Sequence, residues 1–380
     1  MQAGCGSEPY PAGLAYPSRT DLVVYQLPGN LPDGPPAAGK LDEFLAKINE
    51  RGGKTFNPAD LTAELKAKLQ HSLEERFGAP AQPLVQGDDE CRALAESLQL
   101  QPARLTAGSA LYKKHCLQCH GLTGDGRGPT GRWVYPLPRD FRQGIFKYVS
   151  SGGSAARKPS RADLHRVLLV GIERTSMPAY SLLSDEERDL MIAYTIHLSL
   201  RGEVEFRLLL GLLSPGGDVG DTEDDIAAEA GAFLKAALRQ WVQADGDAIT
   251  PRTMPTPESP DGRVSEAHLE SVRRGSQLFA SPAVGCMSCH VDFGRQARYL
   301  FDSWGSAVRP TDLTEGAYHG GKRPLDLYHR IRGGIGASGM PAATSLTDDQ
   351  VWDLVHFTLA LPTPSMLPPD VREQVYPRGK

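Results

Sequence analysis

The chain has 380 residues, 41 Lys and Arg against 46 Asp and Glu, and a net charge of −5. That length has room for two or three domains, and the charge balance has none of the basic excess of a nucleic-acid binder. An apolar fraction of 40% with a mean hydropathy of −0.34 gives no run approaching the roughly 18–20 residues of a membrane span, the longest being Leu208–Leu213.

Residues 1–100 read as an N-terminal extension. An arm rich in Gly, Pro and Tyr to about residue 25 is expected to be extended. It opens without the basic and apolar regions of a secretion signal. Within it Ala3-Gly4-Cys5-Gly6 matches the end of a bacterial lipoprotein cleavage site, which makes Cys5 a lipidation candidate; a disulfide to Cys91 or a free thiol are the other readings. From about 40 the spacing turns helical. Leu41, Phe44, Leu45 and Ile48 form one stripe and Leu61, Leu65, Leu69 and Leu73 a second, with Pro58 at a helix start and Phe77-Gly78 at a helix end.

Residues 101–202 carry the first chemical signal. A helix over 107–115 leads into Cys116-Leu117-Gln118-Cys119-His120, the attachment sequence of c-type haem. Two residues between the thiols place both sulfurs along one porphyrin edge, and the next residue, His, then lies under the metal. Alone, such a motif would also serve as half of a zinc site. A Gly-rich loop runs from Gly121 to Pro129, whose carbonyl is placed to accept the free ring N–H of His120. The chain continues as loop through Pro136, Pro138 and Arg139-Asp140-Phe141. A helix over 161–171 precedes Thr175-Ser176-Met177-Pro178, and a capping box at Ser184 and Glu187 opens a closing helix with Leu190, Tyr194 and His197 or Leu198 on one face.

Residues 203–263 form a connector with 12 Asp and Glu against 5 Lys and Arg, a helix over 221–242 and a Pro-rich linker containing Pro251, Pro255, Pro257 and Pro260. Residues 264–362 then repeat the first unit. Cys286-Met287-Ser288-Cys289-His290 lies 170 positions after the first motif. Gly275–Phe279 answers Gly108–Tyr112, Arg309–Leu313 answers Leu137–Phe141, Gly339-Met340-Pro341 answers Ser176-Met177-Pro178, and Thr347 with Gln350 repeats the capping box. Residues 363–380 read as an irregular, Pro-rich tail.

An iron held by His on one face needs a second axial ligand. A thioether favours reduced iron and raises its potential. Met177 and Met340, each before Pro and each just ahead of a closing helix, are the candidates; Met191, Met254, Met287 and Met366 share no such pattern. His165, His197, His319, His329 and His356 are the competitors, with His115 expected to face solvent. Residues 101–202 hold 15 Lys and Arg against 8 Asp and Glu, whereas 264–362 hold 9 against 10. The basic excess either steers an acidic partner to the first haem edge or, through Arg127, Arg132, Arg139, Arg142 and Lys147, neutralises propionates and the acidic connector. The second loop, Val291-Asp292-Phe293-Gly294, lacks the Gly-Pro of the first, so His290 is expected to be oriented differently, through the Pro310 region, and the two haems to differ in potential.

Over 101–202 and 264–362 these features resemble class I c-type cytochromes, in a tandem dihaem arrangement. The resemblance implies a mainly α fold of two tandem cytochrome c domains with loop-rich haem pockets. In that family a leading helix crosses the closing helix through a small residue and an aromatic, here Gly108 and Tyr112 with Tyr194, and Gly275 and Phe279 with Phe357. It implies two covalent haem c groups, on Cys116 and Cys119 with His120 and Met177 on iron, and on Cys286 and Cys289 with His290 and Met340. Tyr112, Phe279 and Pro129 are pocket candidates. The implied function is single-electron relay between redox protein partners outside the cytoplasm, in the periplasm, either docked on a membrane respiratory complex or with a soluble carrier, with Cys5 as a potential lipid anchor. Alternatives are a dihaem enzyme of cytochrome c peroxidase or thiosulfate-oxidising type, or the electron-accepting subunit of a dehydrogenase.

Overall fold

The computed structural model describes residues 9–152, 157–252 and 265–377. Cys5 lies outside the described residues, as do Pro255, Pro257 and Pro260 of the expected linker.

The fold is mainly α. The described helices are α1 (Leu41–Ala46), α2 (Ala63–Phe77), α3 (Asp89–Ser97), α4 (Pro102–His115), α5 (Leu117–His120), α6 (Arg161–Val170), α7 (Asp185–Leu213), α8 (Glu223–Gly246), α9 (Glu266–Ala280), α10 (Cys286–Cys289), α11 (Pro324–Gly333), α12 (Asp348–Ala360) and α13 (Pro369–Val375). Three two-stranded antiparallel sheets sit among them: β1 (Val23–Gln26) with β2 (Lys54–Phe56), β3 (Gly78–Ala79) with β4 (Gln82–Pro83), and β5 (Leu300–Phe301) with β6 (Ala307–Val308).

Two helix crossings organise the whole. α4 packs on α7 and α9 on α12, in both cases through a glycine. A Cβ on Gly108 would stand 2.2 Å from the Leu190 carbonyl, and one on Gly275 would stand 2.0 Å from that of Asp353. Neither crossing tolerates a side chain there. One turn on, the rings of Tyr112 and Tyr194 meet at 5.2 Å and those of Phe279 and Phe357 at 5.5 Å. Both closing helices start in the expected capping boxes, at Ser184 with Glu187 and at Thr347 with Gln350.

The hydrophobic cores are unequal. The first runs from Tyr16 to Trp241, so that α2, α3, α4 to α7 and α8 share one interior, while Leu45 of α1 and Ile48 pack with Val24 and Phe301 in a separate small cluster. The second, from Val272 to Val375, is built within its own unit.

Local departures from sequence expectation have simple causes. The N-terminal arm contains strand β1, because the β-branched Val23 and Val24 are both buried and pair with Phe56 and Thr55 of β2. Pro58 opens a separate 3-10 turn capped by Asn57, whereas Thr62 caps α2, which ends at Gly78 as expected. α7 passes residue 202 without a break and ends at Leu213. The tail is not irregular throughout. Pro369 occupies the first turn of α13, where a missing N–H costs nothing, and Val371 and Val375 turn inward together.

Candidate functional site

α4 and α9 deliver the two Cys-x-x-Cys-His segments. In each the chain makes a single helical turn, α5 or α10, in which the His N–H donates to the carbonyl of the first Cys at 2.9 Å. All four motif cysteines are free thiols, as is Cys91, which is buried. Among the described residues no three His, Cys, Asp or Glu side chains converge as a metal site would need.

The two histidines are oriented alike. His120 Nδ1 donates to the Arg139 carbonyl at 3.1 Å, and His290 Nδ1 donates to the Thr311 carbonyl at 3.2 Å. That bond leaves Nε2 as the free lone pair in both rings, the nitrogen a metal would take. Burial pushes His120 down to about 4 and lowers His290 as well, so both imidazoles are neutral at ordinary pH.

Pro129 is therefore not the acceptor for His120. The Gly-rich loop folds back on α5, with Gly128 N–H bonded to the Cys119 carbonyl and Thr130 N–H to that of Gln118, which carries Pro129 away from the ring. The true acceptors occupy equivalent places in two Pro-x-Asp stretches. There Asp140 accepts from the N–H of Arg142 and Asp312 from that of Thr314, both at 2.9 Å, in turns that aim the preceding carbonyl. The repeated pattern was visible in the sequence. For His290 the expected Pro310 region does hold the acceptor, whereas for His120 the sequence points to Pro129 instead, because a backbone carbonyl carries no side-chain signature.

The methionine loops match in more detail than a shared Met-Pro. α6 ends at Gly171 and α11 at Gly334, with φ of 71° and 70°. Next, Ile172 N–H bonds the Met177 carbonyl at 3.1 Å and Ile335 N–H that of Met340 at 2.9 Å. Thr175 and Ser338 hydroxyls donate to the carbonyls of those isoleucines, and Tyr180 N–H and Ala343 N–H return to the helices at Leu168 and Ile331. A pattern Gly-Ile-x-x-Thr/Ser-x-Met-Pro, present twice, is the signal that could have found this loop. A Cβ on either glycine would fall within 2.7 Å of the Met carbonyl. Both Met side chains are half-buried, and the Tyr180 hydroxyl ties the first loop to the His115 carbonyl at 2.8 Å.

The competing histidines are engaged elsewhere. His197 Nε2 donates to the Phe77 carbonyl, His319 bonds that of Glu173 and His329 that of Ile249. His356 bonds the Ser271 hydroxyl, and His165 pairs with Asp185. His115 is half-exposed, with its ring edge-on against Tyr180 and its Nε2 buried.

The basic groups of the first unit are largely spent inside the molecule. Arg142 pairs with Asp21 and Asp140, Arg127 with Asp42, and Lys147 with Asp302 of the second unit. Arg132, exposed beside the Trp133 ring, is one exception and Arg139 is another. It stacks on Trp304 of the second unit at 3.7 Å and, among the described residues, forms no hydrogen bond or ion pair.

The residues present fit haem c. Each unit offers two unpaired thiols, a neutral His with a free Nε2 and a Met on a locked loop. His120, Arg139 and Tyr148 lie deep within the protein yet are not sealed by it, as the lining of a crevice would be.

Residues 103–194 and 270–357 match the family described as cytochrome c oxidase, cbb3-type, subunit III. The chain thus carries cytochrome c-type domains in tandem, the kind of domain that binds haem c covalently and serves electron transfer. It is also similar to a chain of the Kuenenia stuttgartiensis reducing HAO-like protein complex, at 23% identity and a TM-score of 0.45, over 67% of this chain and 95% of that one. No curated protein matches it.

Proposed function

We propose that this protein is a dihaem c-type cytochrome that relays single electrons between redox protein partners outside the cytoplasm. Cys116 and Cys119 hold one haem by thioether bonds and Cys286 and Cys289 the other. His120 with Met177, and His290 with Met340, are the axial pairs. The haems supply the one-electron couple. The chain orients each His through a carbonyl, fixes each Met on a closed loop and surrounds both with protein. Thioether ligation favours the reduced iron, which suits a relay at relatively high potential.

The observation that carries this reading is the repetition of the whole constellation. Free thiols, His Nδ1 on a carbonyl, Gly-capped helix, Ile–Met bond and glycine crossing recur together in both units. A relay with both irons six-coordinate leaves no position open to substrate, whereas a peroxidase-type enzyme needs one.

Two measurements test it. The alkaline pyridine haemochrome spectrum should give two c-type haems per chain. The oxidised protein should show the weak red-edge charge-transfer band of Met–Fe(III) at an intensity for two haems, and Met177→Ala or Met340→Ala should each remove half of it. A resting high-spin haem with peroxide turnover would overturn the relay in favour of the enzyme.

A further inference from the structure

The two units meet along a seam with more hydrogen-bond donors than acceptors. Trp304 lies between β5 and β6 of the second unit, in the loop that leads from His290 to its acceptor Thr311. Its indole Nε1–H is buried and has no partner. Across from it stands Arg139 of the first unit, partly exposed and stacked on the indole, its guanidinium without a hydrogen bond or ion pair among the described residues. Lys147 is already neutralised by Asp302 at 3.1 Å, and the Asp302 carboxylate further accepts from the N–H groups of Trp304 and Ser306. Farther along, Arg330 gives one N–H to the Val149 carbonyl but leaves Nε and Nη1 buried and unpaired.

Buried donors without acceptors are rare, because each forfeits its hydration for nothing. A buried indole N–H with no partner, beside a partly exposed guanidinium that makes no hydrogen bond or ion pair, is short of an oxyanion. Bonds from a guanidinium to a carboxylate are among the stronger hydrogen bonds available to a protein. The position says which oxyanion. Arg139 is the very residue whose carbonyl fixes His120, so its side chain springs from the floor of the first crevice. A haem bound there brings two carboxylates of its own.

We propose that the first haem site is completed by the second unit: the Arg139 guanidinium and the Trp304 indole N–H, one from each unit, together receive a propionate of the haem attached at Cys116 and Cys119. This rests on the dihaem reading above. It adds that the first haem senses the second unit directly. In the second unit Thr311 stands where Arg139 stands in the first, so that unit has no equivalent of the clamp.

Arg139→Gln and Trp304→Phe, made in the full holoprotein, test the proposal; both keep much of the packing. Haem content by pyridine haemochrome comes first, since a wild-type chain without two c-haems defeats the dihaem reading and not the clamp. The first-haem step in a spectropotentiometric titration is identified by its response to Met177→His. Removing a donor from a propionate leaves more negative charge near the iron, so each variant should lower that step and leave the other unmoved. The propionate-bending band in the resonance Raman spectrum should shift in both variants. Two results overturn the proposal. One is an unchanged band and unchanged potentials in variants whose melting temperature has dropped, which makes the stack a packing contact. The other is wild-type potentials that move on exchanging chloride for phosphate while the band stays fixed, which assigns the donors to a solvent anion.

Discussion

The two haem units share a plan but differ in how they are supported. In the first, α7 runs for 29 residues and its far half is buried by elements outside the repeat. Tyr194 bonds Tyr16 of the arm through their hydroxyls at 2.9 Å, the Ser109 hydroxyl donates to the Pro80 carbonyl at 2.5 Å, and α8 packs along α7. In the second, α12 has 13 residues and leans on α9, α11 and the short α13. The loops after the histidines differ as well. The first reaches left-handed conformations with Gly121, Gly124 and Gly126, whereas the second places Asp292 and Phe293 there, at φ of 49° and 58°. The comparison teaches that the plan the two units share consists of the crossing, the motif and the Met loop. The rest is specific to each unit's neighbours.

The deepest of those neighbour contacts is ionic. Glu205, 1% exposed on the extended part of α7, accepts from Arg201 at 3.0 Å and from the N–H of Arg19 at 2.9 Å. Arg201 is equally buried and lies over the Tyr16 ring. Glu205→Ala strands that guanidinium, and removing one partner of a buried pair costs about 3–5 kcal/mol. Denaturant unfolding of the holoprotein should show that loss while the Met340 share of the red-edge band persists. A loss below about 1 kcal/mol would sink the claim that the arm is locked through this pair.

Acid should separate the units next. His197 is wholly buried, and burial pushes it down to about 4, whereas Ala360 occupies the equivalent place in α12. Folded, the ring stays neutral and donates to Phe77; unfolded, it takes a proton below about 6.5. Stability is therefore intact above about pH 6.5 and falls as pH drops towards 4, by roughly 3 kcal/mol in all. His356 of the second unit is also pushed to about 4, chiefly by burial and then by His268, but it is half-exposed and contributes less. Urea titrations at stepped pH should show His197→Gln flattening most of the slope. If His356→Gln flattens it more, the assignment to the first unit is wrong.

What was legible in the sequence follows from what side chains can signal. The Cys-x-x-Cys-His pairs, the two Met-Pro sites, the capping boxes at Ser184 and Thr347 and the small-plus-aromatic crossings all announce themselves by residue type and order. The Arg139 and Thr311 carbonyls do not, because any residue has one. Nor did the sequence show that Arg139 meets Trp304, 165 positions away, or that His197 serves α2 rather than iron. Those contacts depend on how separately legible pieces dock, and periodicity says nothing about docking. The short sheets were missed for a related reason: strands of two to four residues are too short to show an alternation.

The smallest test returns to the strained loop. Asp292 at φ 49° and ψ 50° lies where an L residue is held at a cost of about 1 kcal/mol, somewhat less for Asp. Asp292→Gly removes that strain. It also surrenders the Arg295 ion pair at 2.9 Å, partly exposed and worth under about 1 kcal/mol, and it loosens the unfolded chain. The net change should stay within about 1 kcal/mol, with the haem spectrum intact. Phe293→Gly is the control, because it relieves the same strain but discards a ring stacked on Phe279 at 5.8 Å and set edge-on to Phe357 at 6.2 Å. If strain governs this loop, the glycine at 293 should stabilise too. If packing governs it, as the ring contacts indicate, only the change at 292 is tolerated. The second unit then keeps its left-handed pair in order to place Phe293 against the crossing, a task the glycines of the first unit never had.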